Sequence, residues 1–294
     1  MPLPLVHYLY SSGLSRYQRR HAGGEPSWGL ITGASDGIGL ALSSQLASHG
    51  FNFVLHGRNE TKLARVRQEL EKAHPQRSFR TVAIDASSFT DQDIERMLAV
   101  VEDVPLTILI NNVGGTAPLS SNFKHFDQTS PAEIDALCKL NILFPMKLTR
   151  AIIPRFLAQS APTLVLNCGS QSAIGQAYVS AYSSTKGAVH TWTRSLAAEQ
   201  RAEGTNVDVT EVIVGATYTQ QFHEDPNFKP GLFMPTAETM AKAILDRVGN
   251  GHVQVVAYFW HWLQTTALYG LLPLSIADSI VAGVLKPSVE ARTS

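Results

Sequence analysis

The chain has 294 residues, of which 44% are hydrophobic and 16% charged, and this length allows one large domain or two small ones. Its formal net charge is zero, so there is no basic excess for a nucleic-acid partner to engage. The two cysteines, Cys138 and Cys168, lie within apolar stretches, which indicates buried thiols in a reducing compartment rather than a disulfide framework.

Residues 1–26 are interpreted as an N-terminal arm. Residues 1–14 carry no formal charge, but they are fewer than the roughly 20 that a membrane-spanning helix needs, and two prolines interrupt them. The arm is therefore a truncated anchor, a segment lying on a membrane surface, or a peptide that packs on the fold or stays disordered. These alternatives remain open at the level of the sequence.

A glycine-rich turn follows the first predicted strand, residues 28–31. The turn Thr32-Gly-Ala-Ser-Asp-Gly-Ile-Gly39 leads directly into a predicted helix. Glycine lets the backbone approach a ligand closely, and the free N–H groups at the start of a helix suit a pyrophosphate. The residues predicted to bind a dinucleotide here are Gly33, Ser35, Asp36, Gly37, Ile38 and Gly39.

Arg58 follows the second predicted strand, residues 51–55. A site for NAD usually has an acidic residue at this place, which accepts hydrogen bonds from the ribose. No acidic residue is present there, and the planar guanidinium of Arg58 suits a 2′-phosphate. We therefore predict a preference for NADP(H), with a solvated arginine at the start of the next helix as the alternative.

Strands predicted at residues 79–84 and 106–110 alternate with helices at residues 60–74 and 90–101. This alternation indicates a parallel, doubly wound α/β sheet. Asp85 directly follows the third strand, at the edge where such sheets bind ligands. Its carboxylate either accepts a hydrogen bond from the adenine amine or caps the following helix.

Asn141 lies in a helix that begins at Ser130, four residues before Pro145. Because proline has no N–H, the carbonyl of Asn141 should lose its helical partner and the helix should kink. That leaves an oriented acceptor beside the predicted ligand edge. An ordinary bend in a long helix is the alternative.

Tyr182 and Lys186 follow the fifth predicted strand, residues 163–167, and are separated by four positions. On a helix this spacing places the ammonium beside the phenol. The positive charge favours the phenolate, as a general acid/base working near neutrality requires. Ser170 precedes Tyr182 by twelve residues.

These motifs together resemble the short-chain dehydrogenase/reductase family over about residues 28–256. The motifs, in order, are the glycine turn, Asn111-Asn112-Val113-Gly114, Asn141, Ser170, Tyr182 and Lys186. The resemblance implies a Rossmann-type sheet of about seven strands and hydride transfer between a nicotinamide and a carbonyl or alcohol. It implies that Tyr182 is the acid/base and that Ser170 orients the carbonyl oxygen. It further implies that Lys186 holds the ribose and tunes the tyrosine, and that Asn141 supports a proton-relay water.

The same resemblance extends the set of cofactor contacts, and no metal site is predicted. The additional residues expected to contact NADP(H) are Asn111, Gly114, Tyr182, Lys186, Gly215, Thr217 and Thr219.

The chain departs from the family pattern at two places. Gly169 stands where the family has its serine, and a single deletion in the loop at residues 171–179 would return Ser170 to that role. The loop after the sixth strand reads Val214-Gly215 where the family has Pro-Gly, so this turn should be less rigid.

Ser27-Trp28 and the Asn-Asn-Val-Gly variant are similar to 17β-hydroxysteroid dehydrogenases and very-long-chain 3-oxoacyl-CoA reductases. This resemblance implies a lipophilic carbonyl or alcohol as substrate, such as a steroid, a 3-oxoacyl thioester or a related metabolite. It implies a location at the endoplasmic reticulum or another membrane surface, on the cytosolic face, with the cytoplasm as the alternative. The alternative function is a catalytically silent regulatory or scaffold protein that binds the cofactor.

The carboxyl-terminal part is predicted to cover the substrate and to extend beyond the catalytic domain. We assign residues 27–257 to that single Rossmann-type domain, in which the aromatic-rich residues 218–235 either close over the substrate or form a surface flap. Residues 258–294 form an apolar helical extension, divided by a glycine and a proline. The extension either lies on a membrane surface, with Trp260 and Trp262 at the interface, or contacts a second subunit in a homodimer.

Overall fold

A single sheet of seven parallel strands forms the centre of the protein. The computed structural model describes residues 5–19, 21, 24–222 and 228–290, so parts of the predicted arm, of the segment 218–235 and of the extension lie outside the described residues. The strand order is β3-β2-β1-β4-β5-β6-β7. The strands are β1 (Trp28–Ile31), β2 (Asn52–Gly57), β3 (Phe79–Ala83), β4 (Leu106–Asn111), β5 (Thr163–Ser170), β6 (Val207–Val214) and β7 (Gln254–Val256).

Helices cover both faces of this sheet, which confirms the predicted doubly wound architecture. The helices are α1 (Gly37–Ser48), α2 (Glu60–Ala73), α3 (Asp91–Val101), α4 (Pro131–Cys138), α5 (Phe144–Leu157), α6 (Ser180–Ala202), α7 (Ala237–Leu245), α8 (Phe259–Thr265) and α9 (Leu274–Glu290). One apolar cluster joins the sheet to α1, α2 and α7, and a second joins its other face to α3, α5 and α6. Because both faces are covered, β1, β2, β4 and β5 are buried along their whole length.

The strand order reverses between β1 and β4, and this places the ligand edge. In an open parallel sheet, the crevice beyond the carboxyl ends of strands at the reversal is the usual ligand site. The glycine turn follows β1, and β5, which pairs with β4, ends at Ser170. The sequence motifs therefore meet at one edge of the sheet although they are far apart in the chain.

The helix that carries Asn141 is interrupted, as Pro145 predicts. A π-helical turn at Lys139–Leu143 separates α4 from α5, and such turns are rare insertions into regular helices. The start of α4 is as predicted, with Ser130 and Glu133 forming a capping box.

The described part of the N-terminal arm packs on the sheet edge near β6 and β7. Tyr17 is fully buried and its hydroxyl donates to Asp208 Oδ2 at 2.7 Å. Tyr8 donates to the carbonyl of Val256 at 2.6 Å, and the N–H of Gly13 donates to the carbonyl of Val248 at 2.8 Å. These bonds tie the arm to the last strand and to the segment after α7.

The C-terminal extension consists of α8, a π-helical turn at Thr266–Gly270, and α9. Across the described ranges, no helix combines the length and apolar character that crossing a bilayer requires. Both tryptophans are half-buried against protein, and their predicted place at a membrane interface stays a prediction. The ring of Trp260 lies 6.2 Å from that of Phe233, and the ring of Trp262 lies 5.9 Å from that of Tyr8.

Candidate active site

A cavity of about 390 Å³ opens at the carboxyl ends of the central strands. Its walls come from the loops after β4, β5 and β6, from the start of α6 and from the C-terminal extension. The predicted site residues that line it are Ile38, Gly114, Ser170, Tyr182, Lys186, Gly215, Thr217 and Thr219. Eight residues predicted from distant parts of the sequence are thus brought to one cavity.

The glycine turn has the backbone conformation that its glycines allow. Gly33 and Gly37 have φ angles of +67° and +52°, which residues other than glycine rarely adopt. A Cβ on Gly39 would lie 2.1 Å from the carbonyl oxygen of Gly33, so the turn closes tightly on itself. Asp36 caps α1 by accepting from the N–H of Gly37 at 2.6 Å, and it also pairs with Lys62 at 2.5 Å.

Arg58 and Asp85, which are predicted to contact the adenosine part, lie at the ends of β2 and β3. Ser35 faces the end of β2, because a Cβ on Gly57 would lie 3.0 Å from its hydroxyl oxygen. Arg58 is exposed, and Asp85 accepts hydrogen bonds from the N–H and hydroxyl of Ser87. Burial opposes ionisation of Asp85, but these bonds and the charge of Arg58 outweigh it and keep the pKa of Asp85 below its usual value. Asp85 thus closes a turn and does not cap α3.

Lys186 is buried beside Tyr182 on α6. Only 5% of Lys186 is exposed, and its Nζ lies 5.9 Å from the centre of the Tyr182 ring. The ammonium donates to the carbonyl of Cys168 at 2.8 Å. An ammonium carries three N–H donors, and among the described residues one of them is accepted, by this carbonyl. A buried ammonium with further N–H donors suits a ligand that carries hydroxyl groups.

Ser170 is the last residue of β5 and is 9% exposed, with Tyr182 on the wall of the same cavity. Its hydroxyl oxygen accepts from the N–H of Ser172 at 3.1 Å, which leaves the hydroxyl hydrogen available as a donor. The loop that follows turns tightly, since Gly175 and Tyr178 both have positive φ. A shortened loop can therefore bring Ser170 and Tyr182 to one cavity.

Asn141 holds the loop after β4 through its side chain. Its amide oxygen accepts from the N–H of Gly115 at 2.9 Å, and its amide nitrogen donates to the carbonyl of the same residue at 3.0 Å. A Cβ on Gly114 would lie 2.8 Å from the Asn141 oxygen and 3.2 Å from Lys186 Nζ. The π-helical turn thus places Asn141 next to the loop and close to Lys186.

Asn111 does not line the cavity, and its predicted contact with the cofactor stays a prediction. Its side chain is buried inside the layer between β4 and the helices, where it donates to Thr149 at 2.9 Å and to Asn167 at 2.8 Å. Asn167 in turn donates to Thr193 of α6 at 2.8 Å. The next residue, Asn112, is the one on the cavity wall.

His56 contacts the glycine turn and is not among the residues predicted from the sequence. It is buried at the end of β2, where Nδ1 accepts from the N–H of Gly33 at 3.4 Å and Nε2 contacts the carbonyl of Ile84 at 3.1 Å. Burial lowers the pKa of His56 to about 4, so the ring is neutral and can accept at one nitrogen while donating at the other. Its position directly after the mostly apolar residues 51–55 is the sequence feature that indicates a buried histidine at the end of this strand.

Glu211 explains why glycine, and not serine, stands at position 169. This carboxylate on β6 is fully buried and accepts from His190 and Gln254, both at 2.8 Å. The hydrogen bond to Glu211 raises the pKa of His190. A Cβ on Gly169 would lie 2.0 Å from the other carboxylate oxygen, so no side chain fits there while Glu211 keeps this position.

The rest of the cavity wall is mostly apolar and comes from the carboxyl-terminal part of the chain. Phe222 and Phe228 lie on it, on either side of residues 223–227, which are outside the described residues. From the extension come Gln264, Thr265, Leu268, Tyr269, Ile280, Val281, Val284 and Leu285. The extension is therefore part of the site.

Comparison with known proteins identifies relatives over most of the chain. The family profile described as short chain dehydrogenase matches residues 28–229. The very-long-chain 3-oxoacyl-CoA reductase of Neurospora crassa is 32% identical over 237 residues, which cover 80% of this chain and 69% of the relative. The protein of the same name from Pyricularia oryzae is 30% identical over 257 residues, covering 86% and 73%.

Solved structures show the same fold at lower identity. A structure from work on the stereoselectivity of 7β-hydroxysteroid dehydrogenase has a TM-score of 0.75 at 23% identity, covering 87% of this chain and 96% of that one. A short-chain dehydrogenase from Sphingobium yanoikuyae in complex with NADPH has a TM-score of 0.68 at 24% identity, covering 84% and 96%.

We predict that Gly169→Ser destabilises the protein by about 1–3 kcal/mol, because the new side chain overlaps the Glu211 carboxylate. Combining it with Glu211→Ala should cost less than the sum of the two single changes, which a double-mutant cycle of denaturant unfolding measures. Gly283→Ser is the control, since a Cβ at Gly283 meets no atom within 4 Å. Additive effects at 169 and 211 would contradict the explanation.

Proposed function

The chain belongs to the short-chain dehydrogenase family, and within it we propose an NADP(H)-dependent oxidoreductase that reduces a ketone on a lipophilic substrate. One observation carries the proposal: Tyr182, Lys186 and Ser170 lie on the wall of one cavity whose other side is mostly apolar. Polar groups that can hydrogen-bond to a carbonyl or protonate it therefore face an apolar space that suits a lipophilic molecule.

The residues at the crevice fit a dinucleotide. The glycine turn supplies a cradle that any Cβ would fill, next to the N-terminus of α1. Lys186 is buried and, among the residues that the structure describes, one carbonyl accepts from its ammonium, which leaves donors for ribose hydroxyls. Thr219 lies over the start of α1, since a Cβ on Gly37 would be 3.1 Å from its methyl. When bound, the nicotinamide supplies the hydride.

A preference for NADP(H) is supported by the charge beyond β2. Arg58 is exposed there, and Ser35 lies at the same end of β2. The sequence has no acidic residue directly after β2, where an NAD site usually has one. An arginine binds a phosphate with two parallel hydrogen bonds, which a ribose hydroxyl cannot match.

We assign the proton transfer to Tyr182. Its phenol would donate a proton to the carbonyl oxygen as that oxygen gains negative charge, and the ammonium of Lys186 would stabilise the phenolate that remains. The hydroxyl of Ser170 would donate a hydrogen bond to the same oxygen and orient it. Asn141 would act indirectly, by fixing the loop at Gly115 close to the lysine.

Among lipophilic ketones we favour a 3-oxoacyl thioester over a steroid. The two relatives above are named very-long-chain 3-oxoacyl-CoA reductases. The cavity volume of about 390 Å³ lies near the lower end of the range for ligand pockets, about 300–1,000 Å³. Ile280 and Val284 line the cavity and are nevertheless 44% and 65% exposed. A long acyl chain can therefore leave the cavity along the apolar side of α9.

We further propose that the C-terminal extension lies on a membrane surface, with the endoplasmic reticulum as the favoured location. The extension carries an apolar cluster of exposed side chains, and two of them, Ile280 and Val284, also line the cavity. Its members are Leu271, Leu272, Leu274, Ile276, Ile280 and Val284. An apolar surface of this kind on a helix suits insertion into the headgroup region, where a lipophilic substrate is also found. A homodimer contact through the same cluster is the competing proposal.

Tyr182→Phe should lower kcat/KM by about 10²–10⁴-fold while NADPH still binds, because the proton donor is lost and the ring remains. The assay follows NADPH consumption with 3-oxoacyl-CoA thioesters of several chain lengths and with bulky ketones. Tyr269→Phe, on the same cavity wall, is the control and should stay near the parent rate. A parent that binds NADPH but consumes none with any of these substrates would favour the silent scaffold protein.

Arg58→Leu should lower kcat/KM with NADPH by about ten- to a hundredfold and leave kcat/KM with NADH nearly unchanged, since one charge-assisted contact to phosphate is lost. Arg65→Leu is the matched control, because Arg65 is also exposed on the adjoining helix, where it pairs with Glu69 at 3.7 Å. Equal losses with the two coenzymes would remove Arg58 from the phosphate site.

The parent should sediment with phosphatidylcholine vesicles that contain some phosphatidylserine, and Leu271→Glu with Leu274→Glu should abolish this binding. A buried or membrane-inserted carboxylate is costly, so both changes act on the apolar cluster. Leu157→Glu is the control, since Leu157 is 47% exposed at the end of α5. A parent that stays in solution as a dimer, and that the double variant turns into a monomer, would support the subunit contact instead.

A further inference from the structure

His261 is a buried imidazole that joins separate segments around the cavity. It lies on α8 and is fully buried. Its Nδ1 accepts from the backbone N–H of Gly215 at 3.1 Å, and its Nε2 donates to the carbonyl of Phe233 at 3.2 Å. This pattern requires the neutral ring with its proton on Nε2. Burial lowers the pKa of His261, which keeps the ring in that form.

The contact between His261 and Gly215 leaves no room for a side chain at 215. A Cβ there would lie 2.2 Å from Gln171 Oε1 and 2.7 Å from His261 Nδ1. Gln171 follows Ser170 directly, and its amide donates to the carbonyl of His261 at 2.8 Å and to the hydroxyl of Thr265. The ring of His261 therefore links α8 to the end of β6, through Gly215. Gln171 links α8 to the end of β5.

The loop at residues 214–219 is held at its far end by the N–H of Tyr218, which donates to the carbonyl of Pro235 at 2.8 Å. Its near end is held by the bond between Gly215 and His261. Val214 precedes Gly215, so no proline fixes the backbone at this turn. Thr217 donates to the carbonyl of Gly215 at 3.1 Å, which is a bond within the loop itself. Gly215, Ala216, Thr217 and Thr219 all lie on the cavity wall, so any movement of the loop changes the surface that a ligand meets.

We propose that His261 is a positioning residue for the cofactor: it fixes the loop at residues 214–219 through the Gly215 N–H and thereby takes over the role of the missing proline. The inference rests on the proposed function, since it concerns the loop to which we assign nicotinamide contacts. It also makes the C-terminal extension a part of the cofactor site, because the imidazole comes from α8.

Three substitutions separate the two hydrogen bonds of His261. The side-chain oxygen of asparagine can take the place of Nδ1 and accept from Gly215, whereas the side-chain nitrogen of glutamine can take the place of Nε2 and donate to Phe233. Leucine does neither. We expect His261→Asn to bind NADPH within about threefold of the parent, and His261→Gln and His261→Leu to bind it about tenfold more weakly, as measured by fluorescence titration.

Hydrogen exchange of the Gly215 amide in the protein without cofactor provides a second readout. Exchange should be faster than in the parent for His261→Gln and His261→Leu, and close to the parent for His261→Asn. Thermal unfolding identifies a variant that does not fold. If the leucine variant fails to fold, the asparagine and glutamine variants decide the question.

The outcomes distinguish this inference from the proposed function. A parent that does not bind NADPH overturns the proposed function. A parent that binds NADPH, with His261→Gln and His261→Leu binding it equally well, overturns the positioning role alone. An asparagine variant as weak as the leucine variant also overturns that role, since the acceptor for Gly215 would then not be what matters.

Discussion

The geometry of the site depends on how α6 is seated on the sheet, and a buried chain of amides and hydroxyls sets that position. Asn111 on β4 bonds to Asn167 on β5, which bonds to Thr193 on α6. Buried polar groups are costly when unpaired, so this chain favours one register of the helix over its neighbours. That register carries Tyr182 and Lys186 to the end of β5.

The C-terminal extension completes the site from the opposite side. Its helix α9 contributes apolar wall, and α8 contributes the imidazole that holds the loop after β6. The N-terminal arm supports the same region, since Tyr8 packs against Phe259 and Trp262 of α8. Both ends of the chain therefore stabilise a cavity whose polar groups come from the middle of the sequence.

The sequence was sufficient for the fold and for much of the site, because the signals there are local. Buried parallel strands appear as unbroken apolar runs, and the spacing of Tyr182 and Lys186 places them on one helix face. Other features depend on contacts between distant residues. The burial of Asn111, the carboxylate of Glu211 behind Gly169, and the packing of Trp260 on protein follow from tertiary neighbours that no local pattern specifies.

The pairing of Gly169 with Glu211 has a consequence for how such a chain can evolve. A descendant that regained serine at 169 first would carry an overfilled interior, and one that lost Glu211 first would lose a buried acceptor that His190 and Gln254 share. Both single steps pass through a less stable protein. Descendants of this lineage should therefore keep the displaced serine, even though the common arrangement would serve the same chemistry.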